Sequence, residues 1–223
     1  MYREKRRYGQ DPAVVTRSKT TFDVPIKWKQ PRVIFTCSWS DFFVEQADEW
    51  REEAWTVIRS TPHHTYQILT KRPERIATHI PTDWPLPNVW LGVSVENPRF
   101  YWRIDALNEI GVGTRFLSLE PLLAPLARLP LEGISWVIVG GESGPHCRPM
   151  KPQWVREVRD QCIAAGVPFF FKQWGGPKKK LNGRTLDGQI WNDMPNLPAR
   201  KNQAMPKHSA SRVRELPVPS SST

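Results

Sequence analysis

The sequence predicts an α/β protein, a partial (β/α) TIM-like barrel of about six parallel strands with crossover helices. Three observations carry this. One phrase recurs: a short apolar run ends abruptly in polar, charged or glycine-rich residues. It reads VIFTCSWSD from Val33 to Asp41, TYQILTKRPE from Thr65 to Glu74 and VWLGVSVEN from Val89 to Asn97. It returns as RFLSLEPLL from Arg115 to Leu123, WVIVGGESG from Trp136 to Gly144 and PFFFKQWGG from Pro168 to Gly176. Runs of this length, rich in Val, Ile and Phe, suit strands buried on both faces, the habit of parallel sheets. Strand, helix, strand at about 30 residues per unit is also the mark of right-handed βαβ crossovers. A full eight-unit barrel takes ~250 residues, so this chain spends its last stretch otherwise. A doubly wound sheet is the alternative, because periodicity alone does not separate the two.

The elements follow in order. Residues 1–30 form a basic N-terminal segment, in which Tyr2 to Tyr8 reads as a helix end stopped by Gly9 and Asp11-Pro12 breaks the chain. Residues 31–176 form the partial barrel. Between its first two strands, Ala47, Trp50, Ala54, Val57 and Ile58 make one stripe at helical spacing. Pro73 stands where a helix can begin, with Glu74 in its first turn. Pro98 does the same before a looser face of Tyr101, Ile104, Ala106 and Leu107. The APLARLPLEG link is proline-broken and predicts no long helix. Pro152 opens a helix with Val155, Val158, Cys162 and Ile163 inward, and Gly166 caps it. Residues 177–197 form a hairpin extension with Asn182-Gly183 at its turn. Residues 198–223 are polar, basic and rich in Pro and Ser, and read as a disordered tail.

The net charge of +10 and the pI of about 9.8 favour contact with polyanions, nucleic acid above all. An odd number of scattered cysteines and no signal-peptide pattern point to a reducing cytoplasm. No apolar stretch approaches the roughly 18 residues of a membrane span. Cys162 reads as core on its helix face, and Cys37 as a strand residue in the core or lining the mouth. Neither Cys147 nor His63-His64 has a ligand set at zinc spacing, so no metal site is expected.

In barrels and open α/β folds the site lies where the strands end. If the six runs are parallel, their polar tips converge. Lys172, Glu120 and Glu142 are then the candidate catalytic residues: a desolvated lysine can act as base or Schiff-base former, and opposed charges in one mouth shift each other's pKa. Ser40, Asp41, Lys71, Arg72, Ser94, Glu96, Gly140, Gly141, Ser143 and Gln173 are the candidate ligand-binding residues. The Gly140-Gly141 pair lets backbone approach a ligand closely, and Lys71-Arg72 before a helix start suits an anion. Mutual pairing of Lys71, Lys172, Glu96 and Glu120 to close the barrel end is the competing structural reading.

Taken together, FTCSWSDFF, ILTKRPERI, VWLGVSVEN, RFLSLEPLL, WVIVGGESG and PFFFKQWGG resemble one family over about Tyr2 to Pro195. It is the phage-associated three-Cys-motif family of unknown function. Its members resemble radical S-adenosylmethionine enzymes, with an N-terminal cysteine cluster holding iron–sulfur inside a partial TIM barrel. The resemblance implies a protein of the bacterial host cytoplasm, with S-adenosylmethionine and a 4Fe-4S cluster in a full-length form. This sequence departs from the pattern: no cysteine precedes Cys37, and such a cluster needs grouped thiolates. MYREKRRYG is similar to the part of the family just downstream of its cysteine motif. Either Met1 is an internal start and about one βα unit is missing, or this is a variant without the cluster. As given, the chain is expected to hold no cofactor. Three readings stand: a radical-S-adenosylmethionine-like core without its cluster, a nucleic-acid-binding phage accessory protein, and a cluster-free barrel binding a small anionic or zwitterionic ligand.

Overall fold

The computed structural model describes residues 14–38 and 40–195. The expected helix end at residues 2–8, its stop at Gly9 and the basic tail at 198–223 lie outside the described residues. Six strands form one sheet in chain order: β1 (Val33–Phe35), β2 (Thr65–Thr70), β3 (Val89–Ser94), β4 (Thr114–Leu119), β5 (Trp136–Gly140) and β6 (Phe169–Gln173). Every neighbouring pair is parallel. The sheet curls into a half-barrel with helices between its strands.

Side chains alternate across each strand, and the two faces carry different cores. Ile68, Leu91, Leu117, Val137 and Phe169 join the large core beneath the helices, with Trp55, Leu107 and Val158. Their neighbours Trp90, Phe116 and Trp136 form a separate buried cluster on the concave face, against Leu69, Ile138 and Phe170. Their rings meet edge-on or tilted, 5.8 to 6.0 Å between centroids, a favourable geometry for the aromatic quadrupole. Gly92 makes this possible, since a Cβ there would lie 2.5 Å from the Phe116 ring. Aromatic residues thus fill the floor of the half-barrel as layers of side chains fill a closed one.

The helices are α1 (Val24–Lys27), α2 (Asp48–Ser60), α3 (Trp102–Asn108) and α4 (Pro152–Ala165). The stripe expected from Ala47 onward is rotated. Ala47 precedes α2, and Arg51, Trp55, Val57 and Ile58 are its buried residues. The Trp55 indole donates to the His79 carbonyl at 2.9 Å, so a polar tip is satisfied deep in the core. Pro73 opens only one 3-10 turn, Pro73–Arg75, and not a helix. Pro98 opens another, Pro98–Phe100, which leads to α3 and is capped by the Asn97 side chain. No helix fills the link between β4 and β5. Gly166 ends α4 at φ 66°, and Val155, Val158 and Cys162 are buried on it. Ile163 is not inward: it is 58% exposed.

The sheet edges differ. β6 is covered by the returning chain, with Phe171 N–H donating to Trp191 and Asp193 N–H to Phe169. β1 is short, and its Val33 and Phe35 are exposed, contrary to the expectation of burial on both faces. After α5 (Lys179–Asn182) comes the hairpin of β7 (Thr185–Leu186) and β8 (Gln189–Ile190). Its turn is not Asn182-Gly183 but Asp187-Gly188, both at positive φ (52° and 77°), as a two-residue type I′ loop demands. Leu186 is buried in the main core.

Candidate functional site at the rim of the half-barrel

Alternation along the strands decides which tips point into the half-barrel. From the aromatic floor, every second residue runs upward: Trp90, Gly92, Ser94, Glu96 on β3; Phe116, Ser118, Glu120 on β4; Leu69, Lys71 on β2; Phe170, Lys172 on β6. Ser94 pairs in register with Ser118, and both are buried. The rim therefore stacks two serines on an aromatic floor and charged groups above the serines.

Three ion pairs sit there. Lys71 Nζ meets Glu96 Oε1, and Glu96 Oε2 accepts from Arg103 Nη1 at 3.1 Å. Arg103 comes from α3, is buried, and also donates to the Ser94 carbonyl at 2.8 Å. Burial lowers the Lys71 pKa, and the cations of Arg103 and Arg148 act in the same direction. Lys172 Nζ lies 2.7 Å from Glu120 Oε2. The register slips by one residue between β5 and β6 at Val139/Gly140. Such a bulge re-aims side chains, and here consecutive residues of β6 both reach Glu120. Gln173 Nε2 contacts Glu120 Oε1 at 3.4 Å and Ser143 Oγ at 3.1 Å.

Asp41 is fully engaged. It accepts from Phe43 N–H (2.9 Å), Thr70 Oγ1 (2.7 Å) and Lys71 N–H (2.8 Å), and pairs with Arg72 at 3.2 Å. It ties the β1 loop to the end of β2. Glu142 is turned to its own loop, where Arg148 donates to it through its backbone N–H and guanidinium at 2.8 to 3.0 Å. That side-chain hydrogen bond, helped by the backbone one, lowers the Glu142 pKa to about 2. Ser40, like Asp41, borders a cavity behind β1.

Both glycines are needed for close packing within the chain. A Cβ on Gly141 would lie 2.0 Å from the Trp174 carbonyl oxygen, and one on Gly140 3.1 Å from the Glu120 carboxylate. Gly141 N–H donates to Gln173 at 2.9 Å and Gly176 N–H to Glu142 at 2.7 Å. These contacts clamp the β5 and β6 loops backbone to backbone.

At four of these five pairs the carboxylate lies inside and the cation outside; in the fifth, Arg103–Glu96, both side chains are buried. Side-chain exposures are 48% for Lys71 against 8% for Glu96, and 42% for Arg72 against 13% for Asp41. They are 52% for Lys172 against 22% for Glu120, and 60% for Arg148 against 29% for Glu142. Arg103 and Arg148 were not singled out from the sequence. Arg103 left one signal, an arginine beside the apolar Ile104 and Leu107.

The thiols are dispersed. Cys162 is in the core, where burial pushes it up to about 12. Cys37 lies past the end of β1 at φ 52°, not within a strand, and is exposed rather than part of the core. Cys147 is in the β5–α4 loop. Among the described residues no group of three or more His, Cys, Asp or Glu is placed to hold a metal ion. These residues do not fit a three-thiolate iron–sulfur cluster.

The cavity behind β1 has a volume of about 570 Å³. Its walls are the segment from Val15 to Trp28, the β1 strand with its loop, and α2.

The fold and rim define a half-barrel α/β protein of TIM-like type with its charged groups at the carboxyl ends of the strands. Residues 2–195 match the family described as "Protein of unknown function (DUF5131)", and the chain belongs to that family. No curated protein and no solved structure matches the chain. Among the described residues no helix is long and apolar enough to cross a membrane.

Proposed function

We propose that the rim binds a small anionic or zwitterionic ligand through the exposed ends of Lys71 and Lys172, above the Ser94 and Ser118 layer. The observation that carries this is the burial asymmetry of the ion pairs. A carboxylate underneath fixes each cation, and the cation keeps donors free toward solvent. The buried Arg103 compensates Glu96 from below, which leaves Lys71 with capacity for an anion. Lys172, positioned by Glu120 and the bulge, is the residue best placed to act on a bound carbonyl or to take a proton. In ancestry the chain is a radical-S-adenosylmethionine-type core of the phage-associated family. Support for that comes from the ordered resemblance of its six segments together with the parallel half-barrel. No step is assigned to an iron–sulfur group, because the described thiols do not fit one.

Calorimetric titration with inorganic phosphate and with S-adenosylhomocysteine, a zwitterion, tests the reading. Binding of either that is weakened about tenfold or more by Lys71→Ala or Lys172→Ala is expected. Absence of binding by both probes at low salt overturns it. A second reading, nucleic-acid binding, rests on the net charge of +10. It predicts an affinity that falls steeply with salt on a single-stranded oligonucleotide.

A further inference from the structure

We propose that the cavity behind β1 is a second binding site, which takes a small, uncharged, planar aromatic molecule. It is independent of the rim reading. Ile34 and Tyr66, which are paired in register, face it from the helix side of the sheet, whereas Lys71, Glu96, Glu120 and Lys172 stand on the concave side; of the rim residues only Asp41 and its neighbour Ser40 also border the cavity.

Size is the first argument. About 570 Å³ falls within the ~300–1,000 Å³ of small-molecule pockets, which are mostly apolar with a few polar groups. Chemistry is the second. Phe22, Trp28, Trp50 and Tyr66 contribute rings to the wall, which favours a planar aromatic body. Each charged group on the wall already has an ion-pair partner, which favours a neutral one, although the buried Arg51 Nε has no hydrogen-bond partner. Arg17 is bound to Glu53, Arg51 to Asp48 at 2.6 Å and to the Val44 carbonyl at 3.0 Å, and Asp41 to the end of β2. The hydroxyls of Ser38 and Ser40, also on the wall, make no hydrogen bond with another described residue, and supply the polar end.

Preorganisation is the third. The roof is pinned in place: His64 Nε2 donates to the Pro25 carbonyl at 3.0 Å while its Nδ1 accepts from Arg32 N–H at 3.2 Å. His63 Nε2 donates to the Trp28 carbonyl at 2.9 Å, and the Arg32 guanidinium stacks 4.3 Å over the Trp28 ring. A pinned roof admits a small molecule, whereas a helix of another protein would have to lift it.

The test is fluorescence titration with the neutral probe N-phenylnaphthylamine. Saturable binding at one probe per chain is expected. Ala54→Phe, which places a ring in the cavity from α2, is expected to weaken it about tenfold or more while keeping or raising the melting temperature. Ile34→Phe fills from the sheet side and serves if Ala54→Phe does not fold. Lys71→Ala is expected to leave probe binding unchanged, so failure here and failure at the rim are separate results. No saturable binding by the folded protein overturns the proposal. So does equal binding by a folded filled variant. A dimer in size-exclusion chromatography that Ala54→Phe dissolves also overturns it, by assigning the cavity to a second copy.

Discussion

Replacing Gly141 by alanine tests the clamp between the β5 and β6 loops. The new Cβ would sit 2.0 Å from the Trp174 carbonyl oxygen and 2.7 Å from its carbon. That is about 1.5 Å short of ordinary van der Waals contact. The obstacle is backbone, and that backbone is held by the Gly141 to Gln173 and Gly176 to Glu142 hydrogen bonds. Relief therefore means separating two hydrogen-bonded segments, not turning a rotamer. Overpacking of a tight site costs about 1–3 kcal/mol, and a backbone obstacle puts this site at the upper end. For a chain of this size about 1 kcal/mol shifts the melting temperature by ~2–4 °C, so Gly141→Ala is expected to lower it by about 6–12 °C. The control is Gly111→Ala, where a Cβ meets nothing within 4 Å and the change is expected to stay within about 2 °C. Calorimetric melting of the two variants beside the parent is the assay. Equal melting of Gly141→Ala and Gly111→Ala would refute the argument that Gly141 is required for loop closure.

Two further predictions concern charge. Glu96→Gln strands the buried Arg103 cation and is expected to cost about 3 kcal/mol in denaturant unfolding. Adding Arg103→Met is expected to recover much of that, and no recovery would show that the loss lies elsewhere. His64 is buried, and desolvation lowers its pKa below the ordinary 6.5. Its stabilisation is therefore complete above pH 6.5 and is lost as pH falls from there through the lower folded value. His64→Gln is expected to flatten that part of the stability–pH curve, as read by melting at intervals from about pH 7 to 5. An unchanged curve would remove His64 as the group responsible.

The half-barrel was legible because buried parallel strands write continuous apolar runs, and six such runs ended in polar tips. The order of those tips also put Lys71, Glu96, Glu120 and Lys172 at one end of the sheet, where they form two separate pairs. What misled was chemistry that does not repeat. Asn182-Gly183 and Asp187-Gly188 are equally good turn signals, and only the pairing of Thr185 with Ile190 selects the second. That Gly141 packs against the Trp174 backbone is not written in the Gly140-Gly141 dipeptide either. Ile163 fits the helical period yet points outward, because period alone leaves the width of the buried stripe open.

Local chain chemistry, then, was enough for the strands, their common direction and the collection of charges at one end. It was silent on depth. That Glu96 lies under Lys71, that Arg103 reaches it from α3, and that a one-residue slip turns both Lys172 and Gln173 onto Glu120 are consequences of packing between segments distant in sequence. Burial depends on every neighbour at once, and no short stretch of residues encodes it.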